Sequence, residues 1–277
     1  MGRKVTARRA CYIAGISSAR LYRPPALDRD AELRERLRAA WRPNMGYRMA
    51  HALVKDDFEP LNVKRVHRIW KQEKLGRTKR YRKKRAGCSV PCSATGPGQV
   101  WCVDFCFDSC LNGAKLKVLS VKDEFTRECL ALEVGTSFKS LKVQSALSQI
   151  LAKRPAPKFF RSDNGPEFVA RSLAAFLSEK RIDSHFIKPG SPWQNAHAES
   201  FVSRLRDDIL DVEVFHNLAD AQVKLAVYRR YYNEQRPHSS LGYRTPASFA
   251  AQFLDSGRAT PSLRPETAVL SSKEDYS

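Results

Sequence analysis

Val100-Trp-Cys-Val-Asp-Phe-Cys-Phe107 is a run of apolar, β-favouring residues with one charge in the middle, and it reads as a strand. A turn follows at Asn112-Gly113, and Lys115 to Val121 reads as a second strand. Glu128 to Val134 is a third, with Leu130, Leu132 and Val134 alternating against polar or small residues. A helix is expected over about 140–153, and Lys158-Phe-Phe-Arg-Ser162 is a fourth strand ending at Asp163-Asn-Gly. Pro166 and Glu167 suit the first turn of a helix reaching Lys180. A fifth strand spans Asp183 to Ile187. Beyond the loop Pro189-Gly-Ser-Pro192 come a helix around Glu199 and a long one from Leu218 to Asn233. Strands first, then strands alternating with helices, predict a mixed α/β sheet of five strands.

Upstream the pattern is helical. Residues 5–23 read as two short helices around Gly15, with Ser17 capping the second, the size of a helix-turn-helix or of a plain amphipathic hairpin. Helices are expected over Asp28–Trp41, Tyr47–Lys55 and, capped by Asn62, as far as Lys74. In the last, Val63, Val66, Ile69 and Trp70 form the inward stripe, leaving Lys64, Arg65, Arg68 and Lys71 outside. Three short helices with the last one basic form a DNA-reading arrangement; the competing interpretation is a small bundle with a solvated charged face. Seven of nine residues in Arg77-Thr-Lys-Arg-Tyr-Arg-Lys-Lys-Arg85 are cationic, which predicts an arm lying along phosphates and contributing Arg80, Arg82, Lys83, Lys84 and Arg85. The domain boundaries expected are 1–23, 24–86, a Ser/Gly/Pro/Thr-rich linker at 87–98, a core at 99–254 and a loose polar tail at 255–277.

The charge sharpens this division. Of a net +20, residues 1–86 hold 25 Lys/Arg against 8 Asp/Glu, while the remainder is nearly balanced. The basic end calls for a polyanion, and nucleic acid is the default. No apolar run is long enough to span a bilayer and no secretory signal is present, so a cytoplasmic, nucleoid-associated protein is expected. Seven cysteines, an odd number in apolar segments, suit a reducing compartment and free thiols. Cys88, Cys92, Cys102, Cys106 and Cys110 lack paired CxxC units and a nearby histidine, which argues against zinc. No Gly-rich phosphate loop and no recognisable covalent triad are present.

Three acids stand out. Asp104 is mid-strand among apolar residues, where an unpaired charge is costly and a cation would explain it. Asp163 lies where a strand meets a turn, the edge at which α/β sheets place their sites, although Asp-Asn-Gly also forms a turn on its own account. Glu199 lies in Ser191-Pro-Trp-Gln-Asn-Ala-His-Ala-Glu-Ser-Phe-Val-Ser-Arg-Leu-Arg206; alone it would pass for a surface glutamate. On a helix Arg206 would share its face, roughly 10 Å away at 1.5 Å per residue. Together the acids make an oxygen-donor set suited to Mg²⁺ or Mn²⁺, two ions of which can assist phosphoryl transfer.

These residues resemble those of a known family. Trp101-x-x-Asp104-Phe, Ser162-Asp-Asn-Gly-Pro-Glu-Phe168 and Ser191-Pro-Trp-Gln-Asn-Ala-x-Ala-Glu199-Ser-Phe, with 35 residues between Asp163 and Glu199, are similar to the second-frame product of bacterial insertion-sequence transposases, relatives of retroviral integrases. Phe125-Thr-Arg-Glu128, Tyr232-Asn-Glu-Gln-Arg-Pro-His-Ser-Ser-Leu-Gly-Tyr243, Gly46-Tyr-Arg and Val63-x-Arg65-Val extend the resemblance over nearly the whole chain.

The resemblance implies an α/β fold: a ribonuclease-H-like mixed five-stranded sheet flanked by helices, preceded by a small all-α domain of helix-turn-helix type. It implies cleavage of double-stranded DNA at element ends, freeing a 3′ hydroxyl that attacks target DNA without a covalent protein intermediate. Asp104, Asp163 and Glu199 would be catalytic and hold two Mg²⁺ or Mn²⁺ ions, and Arg206 would grip DNA beside them. A homo-oligomer on DNA is implied, as is an upstream-frame protein or frameshift fusion, since the chain carries no heptad run. The alternatives are a non-catalytic DNA-binding regulator and a nuclease that cuts without joining.

Overall fold

A computed structural model describes residues 5–17, 19, 28–76, 93–187 and 195–254. Helix α1 (Ala7–Ile13) precedes a helical unit of α2 (Ala31–Ala40), α3 (Tyr47–Val54) and α4 (Val63–Gln72). The core follows as β1 (Val100–Ser109), β2 (Lys115–Asp123), β3 (Cys129–Gly135), α5 (Ser140–Leu151), β4 (Phe159–Ser162), α6 (Arg171–Glu179), β5 (Asp183–Phe186), α7 (Ala196–Leu205), α8 (Leu218–Glu234) and α9 (Pro246–Leu254).

The five strands lie in the order β3-β2-β1-β4-β5. β1 to β3 form an antiparallel meander, with Gly113 at φ +79° in the first turn, and β4 and β5 join in parallel with β1. Period-two geometry sorts the side chains. Trp101 and Val103 of β1 face Val143 and Leu147 of α5 and Leu173 and Leu177 of α6. Cys106, with Leu116 and Val118 of β2, faces Phe201 and Leu205 of α7 and Leu225 and Tyr232 of α8. Each such buried Leu or Phe contributes roughly 1.5–3 kcal/mol, so the sheet is held from both sides. Asp104 has the parity of Cys106, which directs it to the α7 side.

The helical unit has its own core, in which Leu33, Leu37, Ala50, Val54, Val66, Ile69 and Trp70 are buried. Asn62 caps α4 as expected, accepting from the Lys64 amide at 2.8 Å. Val63 does not join the inward stripe: it stands in the helix's first turn, at the end of the packed surface, and is exposed. The unit touches the core where Asn44 Nδ2 donates to the Asp207 carbonyl at 2.8 Å.

Other departures are local. The helix expected from Pro166 begins at Arg171, since Pro166–Phe168 are spent in a turn. The helix expected from Asp28 begins at Ala31, where the Asp28 carboxylate takes the Asp30 amide and closes a turn first. Residues 94 and 98 are fastened to the core by Glu124 and Asp123, so the end of the expected linker belongs to the core. Helix α9 was not anticipated; Phe249 and Phe253 pack it on Phe125. On α1, Tyr12 and Ile13 are exposed and only Cys11 is buried. The second helix of the expected helix-turn-helix, the basic arm 77–85, Cys88, Cys92 and the tail 255–277 lie outside the described residues.

Candidate active site

Parallel pairing puts Val100 beside Phe159, Trp101 beside Phe160 and Cys102 beside Arg161. Two residues further along both chains stand Asp104 and Asp163. The register therefore directs both chains towards one end of the sheet, Asp104 still on β1 and Asp163 just past the end of β4. Asp104 Oδ1 accepts from the Phe105 amide at 2.8 Å, and Asp163 Oδ1 from the Gly165 amide at 3.1 Å. Burial pushes the Asp104 carboxyl up to about 7, against the pull of the Phe105 amide, and the charges of Asp163 and Glu199 add to the rise.

Glu199 reaches this neighbourhood because α7 is seated on β1. Asn195 Nδ2 donates to the Val103 carbonyl at 3.2 Å just before the helix starts. Ala198, small enough for close approach, packs on Val100 and Cys102. Phe201 and Leu205 bury the rest of that face, and Glu199 is left half-buried in the field of Asp104.

The turn after β4 is shaped around Asp163. Phe168, fully buried, stacks on Phe105 with ring centroids 4.9 Å apart and meets Phe160 edge-on. Glu167 pairs with Lys117 at 2.5 Å, and the Lys117 ammonium also lies 4.1 Å from the Phe105 ring centroid. Gly165 is needed for space: a Cβ there would stand 3.1 Å from Asp163 Oδ1 and 3.4 Å from Glu167 Oε2.

Behind this face lies a polar network that sequence reasoning missed. Arg161 and Glu124 form a buried ion pair, and Glu124 also takes the Cys102 thiol at 3.4 Å and faces His197 Nε2 at 3.7 Å. The Arg127 guanidinium meets the His197 ring. Burial, followed by Arg127, pulls His197 down to about 4. The Phe125–Glu128 signature is structural. Asp123 takes the amides of Gly98, Phe125 and Thr126, and Glu128 receives Arg154 through two bonds of 2.8 Å. The readable signal was four charged residues crowded around one turn between two apolar strands.

The remaining expected residues are dispersed. Arg206 directly follows α7 and opens a π-helical turn (Arg206–Leu210). Its guanidinium donates to the Phe107 carbonyl at 2.9 Å and lies 3.8 Å from Asp211. Arg65 and Arg68 both bind Asp30, at 2.7 and 2.5 Å, while Lys64 and Lys71 are exposed. Arg80, Arg82, Lys83, Lys84 and Arg85 lie outside the described residues. Cys102 and Cys106 are core thiols pushed up to about 12 by burial, which suppresses the reactive thiolate.

Among the described residues no three acids, histidines or cysteines are already closed around one point as a metal cage would be. The donor chemistry suits a hard divalent cation: three carboxylates, one of them held from ionising by burial and by the other two.

Two models, both described as "Integrase core domain", match residues 94–192 and 180–246. The 31.7 kDa protein of insertion element IS407 from Burkholderia multivorans is 37% identical over 255 residues, covering 90% of this chain and 91% of its own. The transposase InsD of insertion element IS2A/D/F/H/I/K from Escherichia coli is 29% identical over 235 residues, covering 78% and 76%. A chain of the simian T-cell lymphotropic virus intasome in complex with PP2A regulatory subunit B56 gamma superposes with a TM-score of 0.52 at 13% identity, covering 82% and 81%. The likeness to it is one of fold.

Proposed function

Because this chain belongs to the insertion-sequence transposases with a retroviral-integrase-like, ribonuclease-H-like core, and so is a DNA transposase of the DDE polynucleotidyl transferase class, we propose that Asp104, Asp163 and Glu199 are its catalytic carboxylates and hold two Mg²⁺ or Mn²⁺ ions. The observation that supports this reading is the β1–β4 register, whose last pair, Cys102–Arg161, lies two residues before both Asp104 and Asp163, together with the charges of Asp163 and Glu199 acting on Asp104.

Bound there, divalent cations supply Lewis-acid stabilisation of the phosphoryl oxygens and lower the pKa of an attacking water or hydroxyl. The chain's own part is positioning. The sheet fixes Asp104, the Gly165 turn fixes the rotamer of Asp163, and α7 brings Glu199 from a separate element. Phe168 and Phe105 form a dry floor beneath the turn, where a fixed charge acts more strongly than in water.

The substrate is double-stranded DNA, both element ends and target, engaged by a homo-oligomer in the cytoplasm at the nucleoid, with an upstream-frame protein as partner or fusion. Among the described residues no helix is long and apolar enough to cross a membrane. The helical unit 24–86 and its arm Arg80, Arg82, Lys83, Lys84 and Arg85 bind phosphates, with Lys64 and Lys71 presented on α4 and Arg206 beside the core. Arg65 and Arg68, held by Asp30, would contribute with reduced charge.

The test is strand transfer of labelled element ends with Mg²⁺. Asp163→Asn and Glu199→Gln abolish nicked and joined products while leaving DNA binding in EDTA intact. Metal-dependent joining by either variant would overturn the assignment.

A further inference from the structure

Glu124 directly follows β2, and its amide donates to the Val100 carbonyl at 2.9 Å, which seats it beside the start of β1. It is buried, and its carboxylate meets three elements of the core. From β4 comes the Arg161 guanidinium, in a buried ion pair. From β1 the Cys102 thiol donates at 3.4 Å. From α7 the His197 ring presents Nε2 at 3.7 Å. Each of these residues stands two places before one acid of the candidate site: Arg161 before Asp163, Cys102 before Asp104 and His197 before Glu199. Two places along a strand are roughly 7 Å, and two along a helix roughly 3 Å of rise. A shift at any of the three contacts is therefore passed to its carboxylate through one short piece of backbone.

The same corner of the sheet grips His197 from other sides. The Arg127 guanidinium meets the ring at Nδ1, and the Lys122 ammonium donates to the His197 carbonyl at 3.4 Å. Because α7 begins at Ala196, these contacts act on its first turn, the turn that carries Glu199.

We propose that Glu124 is a positioning residue for the reaction: one buried carboxylate that fixes β1, β4 and α7 against one another two residues before Asp104, Asp163 and Glu199, with His197 as the contact that sets α7. β1 and β4 are already joined by the sheet, whereas α7 is a separate element packed on it. The His197 contact is therefore the one whose loss moves an acid farthest. The role rests on the reading of those three acids as the set that holds the metal ions.

The experiment is single-turnover strand transfer by the full chain with an element-end duplex and Mg²⁺. Beside it run anisotropy with the same duplex in EDTA, the urea midpoint, and Mn²⁺ binding to the DNA-free protein by electron paramagnetic resonance. His197→Ala should slow joining by roughly tenfold to a hundredfold, the cost of displacing a reacting group by up to about 1 Å. Its DNA affinity in EDTA should be unchanged and its Mn²⁺ affinity several-fold weaker. His197→Gln, which keeps a nitrogen where Nε2 lies, should recover most of both. The His197 side chain is 32% exposed, so its variants fold even where Glu124→Gln does not. Wild-type rate and Mn²⁺ affinity in His197→Ala, or a loss as large in His197→Gln, or a loss that only follows the urea midpoint, overturn the proposal. Joining that survives Asp163→Asn or Glu199→Gln would overturn the carboxylate assignment instead, which separates the two failures.

Discussion

Asp104, on β1, and Asp163, the residue after β4 ends, each stand two residues beyond the Cys102–Arg161 pair, and the charge of Asp163 acts on Asp104. Holding two carboxylates there works against folding. Asp104, raised to about 7 in the fold, is ionised in the unfolded chain at an ordinary value near 4. An acid raised in this way leaves stability intact below about 4, and the fold loses it progressively as pH rises towards 7. Asp104→Asn should therefore inactivate the enzyme yet melt higher than the wild type in EDTA, by on the order of a few °C at pH 7 and by much less at pH 4. Equal melting temperatures at both pH values would contradict the arrangement.

Gly165 leaves room for the Asp163 carboxylate. Gly165→Ala should cost little stability, because the crowding is local, but displacing a catalytic group by a few tenths of an ångström to 1 Å lowers the rate by roughly tenfold to a hundredfold. Strand-transfer rate and urea midpoint, measured together, check this. A variant with wild-type rate would mean that the turn can shift freely.

The Glu124–Arg161 pair is buried on both sides. Arg161→Met strands the Glu124 charge and should cost about 3–5 kcal/mol in denaturant unfolding. Adding Glu124→Gln should recover part of that loss. Simple additivity of the two substitutions would show that the groups do not depend on one another.

His238, pulled down to about 3 by burial and neighbouring cations, stays neutral in the fold while the unfolded chain takes up its proton near 6.5. Its contribution is complete above about 6.5 and is lost as pH falls from there towards 3. The unfolding free energy of the wild type minus that of His238→Gln should therefore decline from pH 7 to pH 4. A difference independent of pH would mean that the imidazole is already charged or solvated.

Much of this was readable in the chain. The alternation in β1 to β3, the Asn112-Gly113 turn and the Asn62 cap are local signals, and local sterics decided them. Glu167 misled because an acid after a proline suits a helix start, whereas here Lys117 claims it from another strand.

By itself, the sequence determined which residues are available: three acids in three motifs, a basic first third, and strands whose period sets Asp104 and Cys106 on one face. Only the tertiary structure decided that Asp104 and Asp163 both follow the Cys102–Arg161 pair by two residues, that Arg65 and Arg68 are engaged by Asp30, and that Asn44 of the helical unit reaches the Asp207 carbonyl. Period and propensity act over a few residues. Strand register, ion pairing and the join between two units depend on how distant surfaces pack, which no short stretch encodes.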